Sequence, residues 1–222
     1  MTNPRLILIE GLPGSGKTTT GEKIVDFLEE KGLETKFYKE KDKKHPIPLE
    51  LDSADQYYQE VLNLWQNFVA ALKNGDKITI VESRFFLNLV SSMLKDDWSI
   101  NQIENYHDQL VDLIQPLNPV LIYLQQPDIE KAMSRLFKIR GFEWCNYVVE
   151  TDLERPYFMK RKLTGFDGWV TFYKEYVELM ERLIKEYDIP NLIVDISNEK
   201  WKKYHPQIAE FLEERIKISS VK

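Results

Sequence analysis

Five short β-type runs separated by helical patterns constrain this chain of 222 residues more than any other feature. The runs cover Arg5 to Glu10, Thr35 to Lys39, Ile78 to Glu82, Val120 to Leu124 and Leu192 to Ile196. Strands alternating with helices predict an α/β fold with a mostly parallel sheet covered on both faces, because parallel neighbours need crossover connections and helices supply them. Four runs are nearly all apolar, as strands buried on both faces are; Thr35 to Lys39 is polar and is expected nearer an edge. A hydrophobic content of 43% over this length supports one well-buried core, so one domain over 1–222 with an insertion at 141–168 is expected.

Between Ser53 and Asn74, the residues Ala54, Tyr57, Val61, Trp65, Phe68 and Leu72 recur at three- and four-residue spacing, with Ser53 as a plausible N-cap. The aromatics of this helix either face the core or line a substrate pocket. Ile103, Tyr106, Leu110, Leu113 and Ile114 mark another helix, stopped by Pro116 and Pro119. Further helices are expected over Asp128 to Arg140, Trp169 to Tyr187 and Trp201 to Ile216. Gly141 to Gly168 has weak periodicity, and movement is expected there.

The turn after the first run reads Gly11, Leu12, Pro13, Gly14, Ser15, Gly16, Lys17, Thr18, Thr19. A Gly-rich turn joining a strand to a helix lets backbone N–H groups converge on phosphate oxygens, and the helix N-terminus adds positive partial charge. In a G-x-x-x-x-G-K-[ST] loop the lysine reaches the β- and γ-phosphates and the hydroxyl ligates Mg²⁺. Those roles fall here to Lys17 and Thr18, with ATP and Mg²⁺ as the expected cofactors. Ile24, Val25, Phe27 and Leu28 supply the apolar face of the following helix.

A phosphate cradle alone does not separate a kinase from a switch, so the other strand ends carry the rest of the reading. Ile78 to Val81 delivers Glu82 and Arg84 to the carboxyl edge, where open α/β sheets place their ligands. Glu82 is a candidate magnesium-shell residue or proton acceptor, and Arg84 a candidate for a polar or anionic group on the acceptor. The bland alternative is an acidic N-cap and a surface arginine. Arg135 and Arg140 follow the fourth run and are candidates to close over the transferring phosphoryl group. Arg155, Lys160, Arg161 and Lys162 either extend that function or form a solvated face.

These residues together resemble the P-loop nucleoside and nucleotide kinases, with the thymidylate kinase and deoxynucleoside kinase group the nearest. The resemblance rests on Ile9 to Thr19, Val81 to Arg84, the Leu124 to Pro127 strand end leading to Arg135 and Arg140, and Ile193 to Asp195. It implies a three-layer fold with a five-stranded parallel sheet in order 2-3-1-4-5, a lid, Mg·ATP, and transfer of the γ-phosphoryl group to a nucleoside or nucleotide. A homodimer is implied by the same analogy, as is a place beside the adenine for Ile196, Ser197 and Asn198. Two departures stand out. Ser83 separates Glu82 from Arg84, where family members have adjacent acid and arginine, which leaves open where Arg84 points. Lys39 to Pro48 is a lysine-rich loop where thymidylate kinases carry an Arg-Glu-Pro-Gly type sequence, so it either meets an acidic acceptor or is solvated. Trp144, Tyr147 and Tyr157 make the 142–157 stretch more aromatic than a minimal lid.

A net charge of -6 argues against nucleic acid as a partner. No apolar stretch approaches the roughly 20 residues of a membrane span. Cys145 stands alone and no leader is evident, so a cytoplasmic protein without disulfides, membrane contact or a cysteine redox role is expected. His45, His107 and His205 lack metal-site spacing and are expected to be exposed or internally satisfied. The sequence therefore predicts an ATP-dependent small-molecule kinase. Its rival is a nucleotide-binding regulatory ATPase or scaffold without a dedicated acceptor; no Asn-Lys-x-Asp sequence supports a GTPase switch.

Overall fold

Every residue of the run Leu6–Gly11 is buried, and this run, β1, becomes the central strand of a five-stranded parallel sheet. The computed structural model describes residues 3–48 and 57–216. The other strands are β2 (Thr35–Tyr38), β3 (Ile78–Glu82), β4 (Val120–Gln125) and β5 (Asn191–Asp195), in the order β2-β3-β1-β4-β5. Ile9 lies opposite Glu82 on one side of β1, and Gly11 opposite Leu124 on the other. The carboxyl ends of the three inner strands therefore open onto one edge. The polar second run is an edge strand, as expected. The fifth run is an edge strand too, so Val194 is fully buried while its neighbours are half-buried or exposed, a correction to its reading as buried on both faces.

Side chains alternate across β1 and divide the core in two. Ile7 and Ile9 join Ile24 and Leu28 of α1 (Lys17–Glu30) and Ile208 and Leu212 of α9 (Trp201–Glu213). Leu6 and Leu8 join the opposite layer, which includes α2 (Tyr57–Lys73), α3 (Leu87–Lys95), α4 (Ile100–Ile114), α5 (Ile129–Arg140) and α8 (Gly165–Glu186). Helix, sheet and helix thus form three layers. Trp65 and Phe68 of α2 are core residues of the second cluster, and Tyr57 packs at its margin. The expected cap Ser53 and the neighbouring Ala54 lie outside the described residues. Ser99 starts α4 with a capping box closed by Gln102, and Pro116 sits in the 3-10 turn that ends it. α9 ends three residues before the expected Ile216, which is nevertheless buried.

The weakly periodic segment is helical. It forms α6 (Phe142–Leu153) and α7 (Pro156–Arg161), and α8 starts at Gly165 rather than Trp169. Periodicity is weak because these helices are short and pack on different neighbours, α6 against α8 and α5, α7 against α3. The far half of the segment is tied to the end of α3. Lys95 pairs with Asp152 at 2.8 Å, Lys160 with Asp97 at 2.6 Å, Arg155 with Asp96 and Arg161 with Asp97. Trp169 also donates to Asp152 at 2.9 Å. Movement, expected over the whole segment, is thereby opposed at 152–161. Phe142, Trp144 and Tyr147, near its start, are exposed. Among the described residues no helix is long and apolar enough to cross a membrane.

Candidate active site

The phosphate loop runs from Gly11, the last residue of β1, to Lys17, the first of α1. Gly16 is the N-cap at φ 87°, the left-handed region, and provides no side-chain cap. The first-turn amides of α1 are therefore left for an anion. Lys17 is only 4% exposed, and its ammonium donates to the carbonyls of Gly11 at 3.0 Å and Leu12 at 2.9 Å. Burial lowers its pKa, while the charges of Glu40, Glu10 and Glu82 act in the other direction. A lysine held in this way has its charge in place before any ligand arrives.

Thr18 brings the second element of the site. Its hydroxyl donates to both carboxylate oxygens of Glu82, at 2.8 and 3.0 Å, joining the start of α1 to the end of β3. A hydroxyl beside a carboxylate is an oxygen donor set that suits Mg²⁺, which usually relies on one or two protein groups, water and substrate phosphates. Among the described residues no cluster of three or more His, Cys, Asp or Glu side chains is placed to hold a metal without such help. Lys17, Thr18, Thr19 and Glu82 line one cleft of ≈ 470 Å³ with Gly14, Gly16, Arg140 and the loop residues Lys39 to Asp42. The lysine-rich loop is thus only partly solvated: Lys39 and Lys41 line the cleft, with the Lys39 ammonium on Glu22 at 2.6 Å, while His45 and Ile47 are buried.

Arg84 is not a surface arginine. It is 4% exposed, its Nε donates to the Ile47 carbonyl at 2.8 Å, and one terminal nitrogen donates to the Glu40 carbonyl. Its Nη1 is buried without a hydrogen-bond partner among the described residues. The Glu40 backbone N–H donates to Glu82 at 3.3 Å, so loop and strand end are joined at several points. Nor does Glu82 cap α3. The cap comes from Glu10 on β1, which is fully buried and accepts from the backbone N–H groups of Phe85, Phe86 and Leu87 at 3.0, 3.0 and 2.9 Å.

Burial pushes the Glu10 carboxyl up to about 7, against the opposing effects of those three N–H groups and Lys17. This gives a signed pH dependence of stability. As pH falls through about 7, folded Glu10 binds a proton that the unfolded carboxyl, near 4.5, does not, so stability rises. Below about 6.5 the unfolded His45 and His107 bind protons that the folded ones, held at about 4 by burial, do not. Two histidines then outweigh one carboxyl and stability falls. Urea midpoints are expected to peak at a pH of about 6.5, and Glu10→Gln should remove the fall on the alkaline side of that peak. Midpoints that climb steadily from pH of about 5 to about 8 would contradict this assignment.

The two lid arginines separate. Arg140 lines the cleft, with its guanidinium 5.6 Å from the centre of the Trp144 ring. Arg135 instead pairs with Glu199 and lines a second groove with Gln126, Ile196, Glu199 and Trp201 on the other side of the phosphate loop. Ile196 lines that groove, and Ser197 donates its N–H to Asp195 at 2.8 Å. Cys145 is buried. His107 is buried and only half satisfied: its Nε2 lies 3.0 Å from the Phe85 carbonyl, its Nδ1 has no hydrogen-bond partner among the described residues, and its ring stacks on Phe86 and Tyr187.

Glu10, Glu40 and Trp201 line or support the site without having been singled out from sequence. Two signals were present. Glu10 is the one acid inside the otherwise apolar β1 run, and a buried acid requires partners. Glu40 follows the carboxyl end of β2, the edge where ligands are expected.

No protein-family model and no curated protein matches the sequence. Solved structures do resemble the chain. A thymidylate kinase from Candida albicans is 16% identical with a TM-score of 0.55, over 96% of this chain and 92% of that one. The YorR protein from Bacillus subtilis, in complex with phosphorylated GDP, is 15% identical with a TM-score of 0.52, over 94% and 95%. Deoxyadenosine kinase from M. mycoides with bound dATP is 20% identical with a TM-score of 0.50, over 94% and 99%. The chain therefore has the P-loop kinase fold, with the sheet order 2-3-1-4-5 that the family resemblance implies.

Proposed function

We propose that this chain, built on the P-loop kinase fold, is an ATP-dependent small-molecule kinase acting on a nucleoside, nucleotide or similar small acceptor. The observation that carries the reading is the Thr18 hydroxyl on both oxygens of Glu82, in the cleft that also holds Lys17 and Arg140. ATP lies with its phosphates on Gly11 to Thr19. Thr18 and Glu82 would hold Mg²⁺, which would supply charge neutralisation for the phosphates. The acceptor enters beside Arg84 and the 40–47 loop. Its hydroxyl or phosphate oxygen forms a bond to the γ-phosphorus as the bond to the β-phosphate oxygen breaks, and ADP leaves. Glu40, which faces Lys17 across the cleft, accepts the proton where the acceptor is a hydroxyl.

Arg140 and the exposed aromatics at the start of the 141–168 segment act as a lid that excludes water from the transferring group. Arg135 and Trp201 flank the base of ATP. The setting is cytoplasmic, and a homodimer follows only from the family resemblance. Glu82→Gln tests the assignment: transfer should fall by about 30-fold or more, roughly 2 kcal/mol of barrier, with ATP affinity changed less than about threefold. Equal losses in turnover and ATP affinity would remove Glu82 from the chemical step.

A further inference from the structure

Glu10 has no place in the chemistry just described, yet it is the most completely enclosed charged group next to the cleft. Two consecutive β1 residues grip the turn between β3 and α3. Ile9 accepts from the Ser83 N–H at 3.1 Å, and Glu10 takes the N–H groups of Phe85, Phe86 and Leu87 on its two oxygens. Ser83, between these grips, sits at φ 65°, a left-handed conformation that a serine holds only when its surroundings enforce it. Arg84 is the next residue, and its guanidinium reaches the carbonyls of Glu40 and Ile47. The charged and titratable groups that face Glu10 are Lys17 from α1, Arg84 from the turn itself, Tyr123 from β4 and Tyr176 from α8.

We propose that Glu10 is a positioning residue for the acceptor side of the cleft: through the 83–87 turn and Arg84 it fixes the 40–47 loop. A carboxylate suits the task because three N–H donors converge on its two oxygens. Glutamine would present an NH₂ to one or more of those donors, and aspartate is one methylene too short to reach them. The loop is held by Arg84 at both of its ends and by the Glu40 N–H on Glu82, so a shift of the turn moves the cleft wall formed by Lys39 to Asp42. That this wall receives an acceptor rests on the kinase reading; the mechanical coupling does not.

The coupling is read by amide hydrogen exchange. In the wild-type chain, at urea concentrations below unfolding, the amides of 84–88 and 40–47 should open as one unit with the same urea dependence. In Glu10→Gln both segments should exchange at least tenfold faster, while β5 and α9 keep their wild-type rates. Arg84→Lys should free 40–47 and leave 85–87 protected. Wild-type segments that open independently, or faster exchange in Glu10→Gln confined to 85–87, would overturn the proposal. Because exchange needs no acceptor, the proposal can hold where phosphoryl transfer is not found. Where transfer is found, Glu10→Gln should raise the acceptor KM with the ATP KM within threefold, and a matched rise in both would also count against it.

Discussion

Lys17→Ala is expected to lower phosphoryl transfer by about three orders of magnitude, near 4 kcal/mol of transition-state stabilisation. The lysine is buried, anchored on the Gly11 and Leu12 carbonyls, and surrounded by the charges of Glu40, Glu10 and Glu82. A unit charge about 4 Å from a phosphate oxygen at an effective dielectric near 20 contributes roughly 4 kcal/mol, the same size as the expected loss. Removing it does more than delete one attraction. It leaves three carboxylates around an anion site, so ATP affinity should fall together with turnover. It also removes a cation that holds Glu10 down, so the Glu10 carboxyl should titrate above its wild-type value of about 7. Steady-state kinetics on the folded variant check the first effect and the pH dependence of its urea midpoint the second. A loss smaller than tenfold would place the phosphates elsewhere.

Gly16→Ala is expected to weaken ATP binding by about 100-fold, for two separable reasons. A β-carbon at φ 87° costs roughly 1–2 kcal/mol in the left-handed region. The same β-carbon would meet the Trp201 ring, with Cη2 at 2.6 Å and Cζ2 at 3.0 Å, and overpacking of this kind typically costs about 1–3 kcal/mol. Either the loop distorts or Trp201 is displaced from the groove that it forms with Arg135 and Glu199. Adding Trp201→Ala should therefore recover the steric part and leave the backbone part, giving a coupling energy on the order of 1–3 kcal/mol in a double-mutant cycle. Titration of a fluorescent ATP analogue measures all four affinities. Gly16→Ala binding within threefold of wild type would show that this loop does not wrap phosphate.

The strands were legible because each is a short apolar run with a helix on either side, and burial on both faces leaves that signature in sequence. β5 shows where the signature misleads: Leu192 and Ile193 are as apolar as a central strand, yet topology places them at an edge. The phosphate loop was legible because its chemistry fixes residue types at fixed spacing. Arg84 and Arg135 were not, because a long side chain chooses among partners that only the tertiary fold assembles: the Ile47 carbonyl lies 37 residues from Arg84, and Glu199 lies 64 from Arg135. Glu10 was hidden for a related reason. Its partners are backbone N–H groups of 85–87, which carry no sequence signal of their own. The helices within 141–168 lacked a clear period because their buried faces are set by α3, α5 and α8 rather than by one continuous core.

Transfer of label from γ-labelled Mg·ATP to a panel of nucleosides, nucleoside monophosphates and hydroxylated small molecules tests the central claim most directly. One chemical class of acceptor should gain the label and speed ADP formation well above the rate in its absence. ADP formed at one slow rate with every acceptor, and no labelled product, would contradict it and favour a nucleotide-responsive regulator.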